Sequence, residues 1–393
     1  MSDVIVKNGR AESYRIEITP DEIRKFYNQN WRDYNVKYKR KAEHYFLTKY
    51  LSPYFIEVLN YDGDTIVLEN GGEPLEQEDR VTSFTESKII NFFELVKWLH
   101  GLRLELKRFG IIHRDINPSN ILYSQETKQF KLIDFNWAEE ISEPSGITAP
   151  NELNTPGYYQ DDDKSIEKMM VLSIKKMSED IASEGYKDGS SVNKGWFYQP
   201  VPFEEFSDIP VHKTSAIEEY KEVLLYSGIT DWQEANVLEI GSANGYFSFN
   251  LAKNVKSVIG IEGDTFAYKI IEGIRLLKDI QNITFLNCYI NENNIPEGIF
   301  DLTLCLNVHM WIYKQLGPAR TIEFMKKLSQ KTKRLFFQTA GIDGSAMYNI
   351  VEFQSPEDII KYLFHCGFNN VWFIRTTHSH GGNRHLFYAE GNI

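Results

Sequence analysis

Residues 110–136, GIIHRDINPSNILYSQETKQFKLIDFN, constrain this chain more than any other stretch. An acid, Asp115, follows a pair of isoleucines, an amide, Asn120, stands shortly after it, and a second acid, Asp134, closes a further apolar run. The segment "NILYSQETKQFKLIDF" reads as a hairpin of two buried strands, which returns the chain beside the loop and brings Asp134 back toward Asn120. Ahead of it, "SKIINFFELVKWLHGLRLELKRFG" carries a helical period and stops at Gly110. A plain polar turn, with Asp115 and Asn120 merely capping, accounts for neither the long apolar-faced helix nor the two strand patterns around the loop.

Phosphoryl transfer from ATP needs a carboxylate to orient the acceptor hydroxyl, ligands for Mg²⁺ and a cation on the phosphates. His113-Arg114-Asp115 with Asn120 matches the H-R-D-x-x-x-x-N spacing of a protein-kinase catalytic loop, and Asp134-Phe135-Asn136 stands where D-F-G stands. The first part of the chain therefore resembles an α+β protein-kinase-like domain. The resemblance implies Asp115 as catalytic base, with Asn120 and Asp134 as the metal ligands. A phosphate-pairing lysine is expected on a strand just before a helix that carries its glutamate. "DYNVKYKRKAEHYFLTKYL" supplies Lys37 or Lys39 followed by Glu43; Lys37 is preferred, and a solvated basic strand end is the competing reading. "TIVLENGGEPL" resembles the strand and hinge beside adenine, with backbone groups from Glu69 to Gly71 offering hydrogen bonds. After "TPGYY", either Asp162 or Asp163 would brace the catalytic loop.

Several departures narrow the kinase type. No G-x-G-x-x-G loop occurs, "VKNGR" offers one hairpin turn, and the N-terminal lobe is expected to be reduced. Asn117 replaces the lysine that many kinases carry two residues after the catalytic acid, Asn136 replaces the glycine of D-F-G, and no clear A-P-E follows. Such variation resembles compact kinases acting on sugars, lipopolysaccharide or small molecules, and peptide docking is not expected.

Beyond a Gly-, Ser- and Asp-rich stretch, strand and helix patterns alternate again, which argues for an α/β parallel sheet and a second domain. The boundary is placed near 190, giving domains 1–189 and 190–393. In "NVLEIGSANGYFSFNLA" a strand ends near Glu239, a turn holds Gly241 and Gly245, and a helix follows; the next strand, "SVIGIEGD", ends in Glu262. A tight glycine turn lets backbone N–H groups approach a ligand, and an acid at the end of the second strand accepts ribose hydroxyls. This resembles a class I (Rossmann-like) S-adenosylmethionine methyltransferase, whose cofactor residues would include Glu239, Gly241, Gly245, Glu262, Tyr289 in the place of the usual adenine-binding acid, and Asn307. The C-terminal "NVWFIRTTHSHGGNRHLFYAEGN" reads as that sheet's final antiparallel hairpin.

"LCLNVHMWIY" resembles the strand end of methylphosphate-capping enzymes, and a phosphate monoester, with a second pKa near 6, needs only cations to hold it in line with the sulfonium methyl. His309 and Arg384, with Tyr198 from the aromatic "KGWFYQPVPF", are the candidates to hold that phosphate; Lys314 and Arg375 are further cations. "HSHGGNRH" is a poor metal signal and reads as a turn. A kinase joined to a phosphate methyltransferase resembles the bacterial polymannose O-antigen chain terminators, here with the domain order reversed. The resemblance implies ATP, Mg²⁺ and S-adenosylmethionine as cofactors and a glycan or lipid-linked polysaccharide as substrate. It also admits polysaccharide-assembly proteins as partners and a peripheral place at the inner membrane. No terminal heptad coiled coil follows, so length control and membrane recruitment are not implied. A pseudokinase that only positions the methyltransferase, or a kinase and methyltransferase acting on RNA or a small molecule, are the other readings.

Composition agrees with a two-domain cytoplasmic enzyme. A chain of 393 residues exceeds what one core usually serves. A net charge of -12 disfavours a general nucleic-acid grip. Its 3 cysteines stand in apolar segments without C-x-x-C spacing, and no apolar run suits a signal peptide or a bilayer span.

Overall fold

A computed structural model describes residues 5–8, 14–37, 41–75, 91–144, 159–184, 196–213, 215–344, 349–379 and 382–393. The chain divides into two compact units, Met1–Ile174 and Lys175–Ile393. The seam expected near 190, the glycine-loop position after Asn8 and Lys39 all lie outside the described residues.

The first unit opens with β1 (Ile5–Asn8), β2 (Tyr14–Ile18) and β3 (Glu22–Tyr27), followed by α1 (Gln29–Lys37), α2 (Glu43–Lys49), β4 (Val58–Tyr61) and β5 (Thr65–Glu69). The five strands form an antiparallel sheet in the order β1-β2-β3-β5-β4. Residues 29–37 are helical, which corrects the strand expected around Lys37. Asn28 explains the helix: its side-chain oxygen accepts from Trp31 N at 2.9 Å, and Gln29 bonds Asp33 one turn on at 2.8 Å.

A second set of elements follows: β6 (Glu73–Pro74), α3 (Phe92–Phe109), β7 (Ile111–Ile112), β8 (Ile121–Tyr123), β9 (Phe130–Leu132), β10 (Glu139–Glu140) and α4 (Asp162–Glu184). Asn91 caps α3 by accepting from Phe93 N and Glu94 N, and Gly110 ends it in the left-handed region at φ 67°, as its position in the sequence requires. Leu95, Val96, Leu99, Leu102 and Leu106 make the buried stripe of α3. β8 and β9 form the expected hairpin, paired from Ile121–Leu132 to Tyr123–Phe130.

In the second unit α5 (Ala216–Tyr226) precedes β11 (Asn236–Ile240), α6 (Tyr246–Leu251), β12 (Ser257–Glu262), α7 (Thr265–Leu277), β13 (Ile283–Asn287) and β14 (Leu302–Leu306). Then come α8 (His309–Leu316), α9 (Pro318–Ser329), β15 (Arg334–Thr339), α10 (Pro356–His365), β16 (Asn369–Ser379) and β17 (Gly382–Glu390). One seven-stranded sheet has the order β13-β12-β11-β14-β15-β17-β16; β17 runs antiparallel to both its neighbours and the other pairings are parallel. The central strand β14 reads as a continuous apolar run because both its faces are covered, and it is buried at every position, whereas the edge strand β13 is exposed at Thr284 and Asn287. The order turns back beside β11, so the crevice beyond the carboxyl end of β11 is the place where such sheets take ligands. Among the described residues no helix is long and apolar enough to cross a membrane.

Candidate active sites

The loop after β7 is built from short-range bonds. Asn117 donates to Asp115 Oδ1 at 2.8 Å, and Asn120 donates to Asp115 Oδ2 at 2.9 Å and to its carbonyl at 2.8 Å. Two side-chain amides thus fix the Asp115 carboxylate, and Asn117 does part of that work in a position where a lysine was expected. Ile133 N donates to Asn120 O at 3.0 Å, which is how the β8–β9 hairpin sets Asn120 beside Asp134. Asp134 itself lies in the left-handed region at φ 65°, and Asn136 donates to its Oδ1. Asp162, of the two acids considered, braces the loop: its oxygens accept from His113 N at 2.6 Å and Arg114 N at 2.8 Å. Burial pushes the Asp162 carboxyl up to about 7, against those two bonds. Asp163 instead pairs with Lys107 on α3.

The lysine that pairs with Glu43 is Lys25. Lys25 on β3 reaches Glu43 at 2.9 and 3.1 Å and Asp134 at 3.4 Å; Lys25 and Glu43 are 3% and 1% exposed, so this is a buried pair. The Glu43 carboxylate also accepts from Tyr27 OH and from Phe135 N, which locks α2 to the residue after Asp134. Lys37 closes α1 and does not stand on a strand. The overlooked signal was period-two phase: in "EIRKFY" Lys25 shares the buried face with Ile23. At Glu69 the amide donates to Glu57 O and the carboxylate pairs with Lys131 at 3.0 Å, so of its groups these two are taken up within the first unit.

Replacing Lys25 by Met is expected to leave a buried carboxylate without its cation, a loss of about 3–5 kcal/mol in unfolding free energy. Urea unfolding of the whole chain measures it, and a first-unit transition at the unaltered midpoint would mean that the pair adds no stability.

In the second unit the turn after β11 approaches its neighbours closely. Gly241 has φ 77°, and a Cβ there would come within 2.9 Å of Val308 Cγ2; Gly245 has φ 76°, and a Cβ there would meet the Phe249 ring. Glu262, at the end of β12, accepts from Ala243 N at 2.7 Å and Asp264 N at 2.8 Å, so it shapes the turn while keeping further lone pairs for a ligand; burial pushes its carboxyl up. Ser242 Oγ is buried in the same turn without a hydrogen-bond partner. The glycine cradle, the acid and this unpartnered hydroxyl fit a nucleoside with polar substituents.

Glu239 departs from its expected ligand role. Its buried carboxylate turns onto Ser248 N at 3.0 Å and onto the Ser248 hydroxyl, anchoring α6 to β11, and burial pushes it up to about 8. Tyr289 is exposed, its ring against Gly263 just past Glu262, where a Cβ would come within 2.7 Å of it. Asn307, at φ 60° beyond β14, is bound to Gln338 through both backbone and side chain.

The three residues chosen for a phosphate are divided by the structure. His309 is fully buried among Phe337, Phe353 and Tyr362, its ring nitrogens meet Thr339 Oγ1 and Tyr362 OH, and burial drives its pKa down to about 3. It stays neutral and cannot serve as a cation, because a charge there would be stranded in apolar surroundings. Arg384 is buried and its charge is felt at the Tyr198 hydroxyl. Burial, with Glu219 adding to it, pushes the Tyr198 hydroxyl up to about 12, while the nearby Arg384 guanidinium pulls the other way. The backbone N–H groups of Tyr198 and Gln199 both donate to Asn244 Oδ1, at 2.6 and 3.2 Å, which seats this aromatic segment on the glycine turn. Arg375 pairs with Glu222, and Lys314 lies over the Trp311 ring. His385 of the final hairpin meets Asp343 at 3.1 Å and Thr376 at 2.9 Å, the first of these across 42 positions.

A protein kinase domain model matches residues 47–161, and a methyltransferase domain model matches residues 232–363. The chain joins a kinase domain to a methyltransferase domain. The first implies ATP and the second S-adenosylmethionine. Among curated proteins, the chain is 36% identical over 69 residues to a non-specific serine/threonine protein kinase of Drosophila melanogaster, covering 17% of this chain and 10% of that protein. It is 28% identical over 151 residues to the cell division cycle 7-related protein kinase of Mus musculus, covering 38% of this chain and 23% of that one. The chain thus spans less than a quarter of either relative's length. Among solved structures, the bifunctional kinase-methyltransferase WbdD aligns at 18% identity and a TM-score of 0.41, covering 50% of this chain and 44% of that one. The N-terminal domain of EvdMO1, solved with S-adenosylhomocysteine and D-fucose, aligns at 14% identity and a TM-score of 0.37, covering 50% and 91%.

Proposed function

We propose that the kinase domain phosphorylates a terminal hydroxyl of a glycan and that the methyltransferase domain then methylates that phosphate. The observation that carries this reading is a buried cation, Arg384, 2% exposed, whose charge is felt by the Tyr198 hydroxyl on the segment seated against the glycine turn: a buried cation and an O–H donor suit a phosphate oxygen and are of little use to a neutral hydroxyl. The kinase domain supplies the complementary chemistry. Asp115, held by two amides, orients the acceptor hydroxyl, and Lys25, held by Glu43, faces the phosphates. Asn120 and Asp134 would hold Mg²⁺; oxygen donors from one carboxylate and one amide suit an ion that completes its shell with phosphates and water. That ion, when bound, neutralises charge on the transferring group.

The matches to serine/threonine kinases favour a protein hydroxyl as the second reading of the acceptor. Asn117 weighs against it, since its amide is committed to the Asp115 carboxylate. Mass spectrometry of a mannose-containing glycan and of a serine-rich protein, each incubated with ATP, Mg²⁺, S-adenosylmethionine and the full chain, tests both. Addition of phosphate and then of one methyl to the glycan is the expected result; addition to the protein alone overturns the glycan reading.

A further inference from the structure

Two consecutive acids, Glu139 and Glu140, make up β10, separated by two residues from the Asp134-Phe135-Asn136 turn, and pair with Ile112 and Ile111 of β7. Both are buried, at 7% and 5% exposure, which is unusual for carboxylates and requires partners. Successive side chains of a strand point to opposite sides, so the two reach different neighbours. Glu139 pairs with Arg114 of the catalytic loop. Glu140 faces α2 and accepts from Lys49 Nζ at 2.7 Å, from Tyr45 OH at 3.0 Å, from Tyr50 OH, and from Lys41 Nζ just ahead of that helix. Burial alone would push the Glu140 carboxyl up, yet Lys41, Lys49 and the two tyrosines together hold it down at about 2. It is therefore charged at any physiological pH.

α2 is the helix that carries Glu43. Its inner side is bound to Lys25 and to Phe135 N, and its outer side is bound to Glu140. In kinases that are switched, a phosphate added to the segment after the metal-binding acid supplies about two negative charges to an arginine and a lysine, and so positions this helix. We propose that Glu139 and Glu140 do that work permanently: one carboxylate on Arg114 and one on Lys41 and Lys49 clamp α2 to the catalytic loop, so that the Lys25–Glu43 pair is assembled with no modification of the chain. Both are positioning residues. The kinetic consequence rests on the phosphoryl-transfer activity proposed above, whereas the structural consequence does not.

Hydrogen exchange on the full chain, shown by intact mass to carry no phosphate, separates the two. Glu140→Gln is expected to speed exchange of the Phe46–Tyr50 amides roughly tenfold or more, because bonds to a charged group are lost there, while α3 keeps its protection. The turnover number for phosphoryl transfer should fall about tenfold with the KM for acceptor and the methyl-transfer rate unchanged. Glu143→Gln, from an exposed carboxylate that meets Lys41 on its outer side, should change neither. Lys49 is itself 46% exposed, so Lys49→Gln supplies a variant that folds if Glu140→Gln does not, with the same direction of effect. Unchanged α2 exchange in these variants overturns the clamp whatever the kinase rate. A wild-type chain that carries phosphate, and whose α2 loosens when a phosphatase removes it, also overturns the proposal. A chain whose α2 loosens on Glu140→Gln but that transfers phosphate to no acceptor keeps the clamp and overturns only the activity.

Discussion

Asp115→Asn is expected to slow phosphoryl transfer by about 10²–10⁴-fold, the usual contribution of a positioned general base. The carboxylate is held at 2.8 Å by Asn117 and 2.9 Å by Asn120, so the side chain is fixed, and the variant loses its charge and proton affinity. The new amide also sets N–H groups against N–H groups, which costs hydrogen bonds but leaves the backbone bond from Ile133 to Asn120 in place. The methyltransferase domain has its own sheet and core, so its affinity for S-adenosylmethionine should be unchanged by calorimetry. Single-turnover transfer of labelled γ-phosphate measures the effect. A rate near that of the wild type would remove Asp115 from the role of base.

The second large effect concerns the methyl acceptor. A prephosphorylated glycan should take methyl from labelled S-adenosylmethionine, even with the Asp115→Asn chain and no ATP, while the unphosphorylated glycan should lag by roughly 10²–10⁴-fold for want of a base. The structure sharpens the reason. His309 is neutral in an aromatic core, and both ring nitrogens of His385 are engaged, one by Asp343 and one by Thr376. Neither is placed to take a proton from a sugar hydroxyl. A phosphate monoester needs no such help once its second proton has left, near pH 6, so methyl transfer should rise as pH increases through that value and then level off. Equal labelling of the two acceptors would overturn the methylphosphate reading and leave both domains as described.

The acceptor-side chemistry shows where sequence reasoning is strong. The loop from His113 to Asn120 is specified by neighbours: its bonds to Asp115 come from side chains 2 and 5 positions away, and the hairpin that returns Asp134 is a single local unit. Apolar strand runs alternating with helical patterns likewise announced β11 to β15, because the inner strands of such a sheet are covered on both faces. The helix over residues 29–37 was missed for a comparable local reason. "DYNVKYK" satisfies a period of two about as well as a helical one, and the Asn28 cap that settles the matter lies outside that window.

What the sequence by itself determined, then, is whatever a few adjacent residues can enforce: the catalytic loop, the glycine turn, the succession of strands and helices along the second domain, and the helix cap at Gly110. Only the tertiary structure decided the choice of Lys25, which meets Glu43 across 18 positions and Asp134 across 109. It also decided the burial of His309, the seating of Tyr198 on Asn244 across 46 positions, and the grip of Glu140 on Lys49 and Lys41 across 91 and 99 positions. The physical reason is that a charge's partner and its burial are set by which segments the packed cores bring within a few ångströms. A lysine or histidine reads the same in the chain whether it ends in water, in a salt bridge or inside an apolar core.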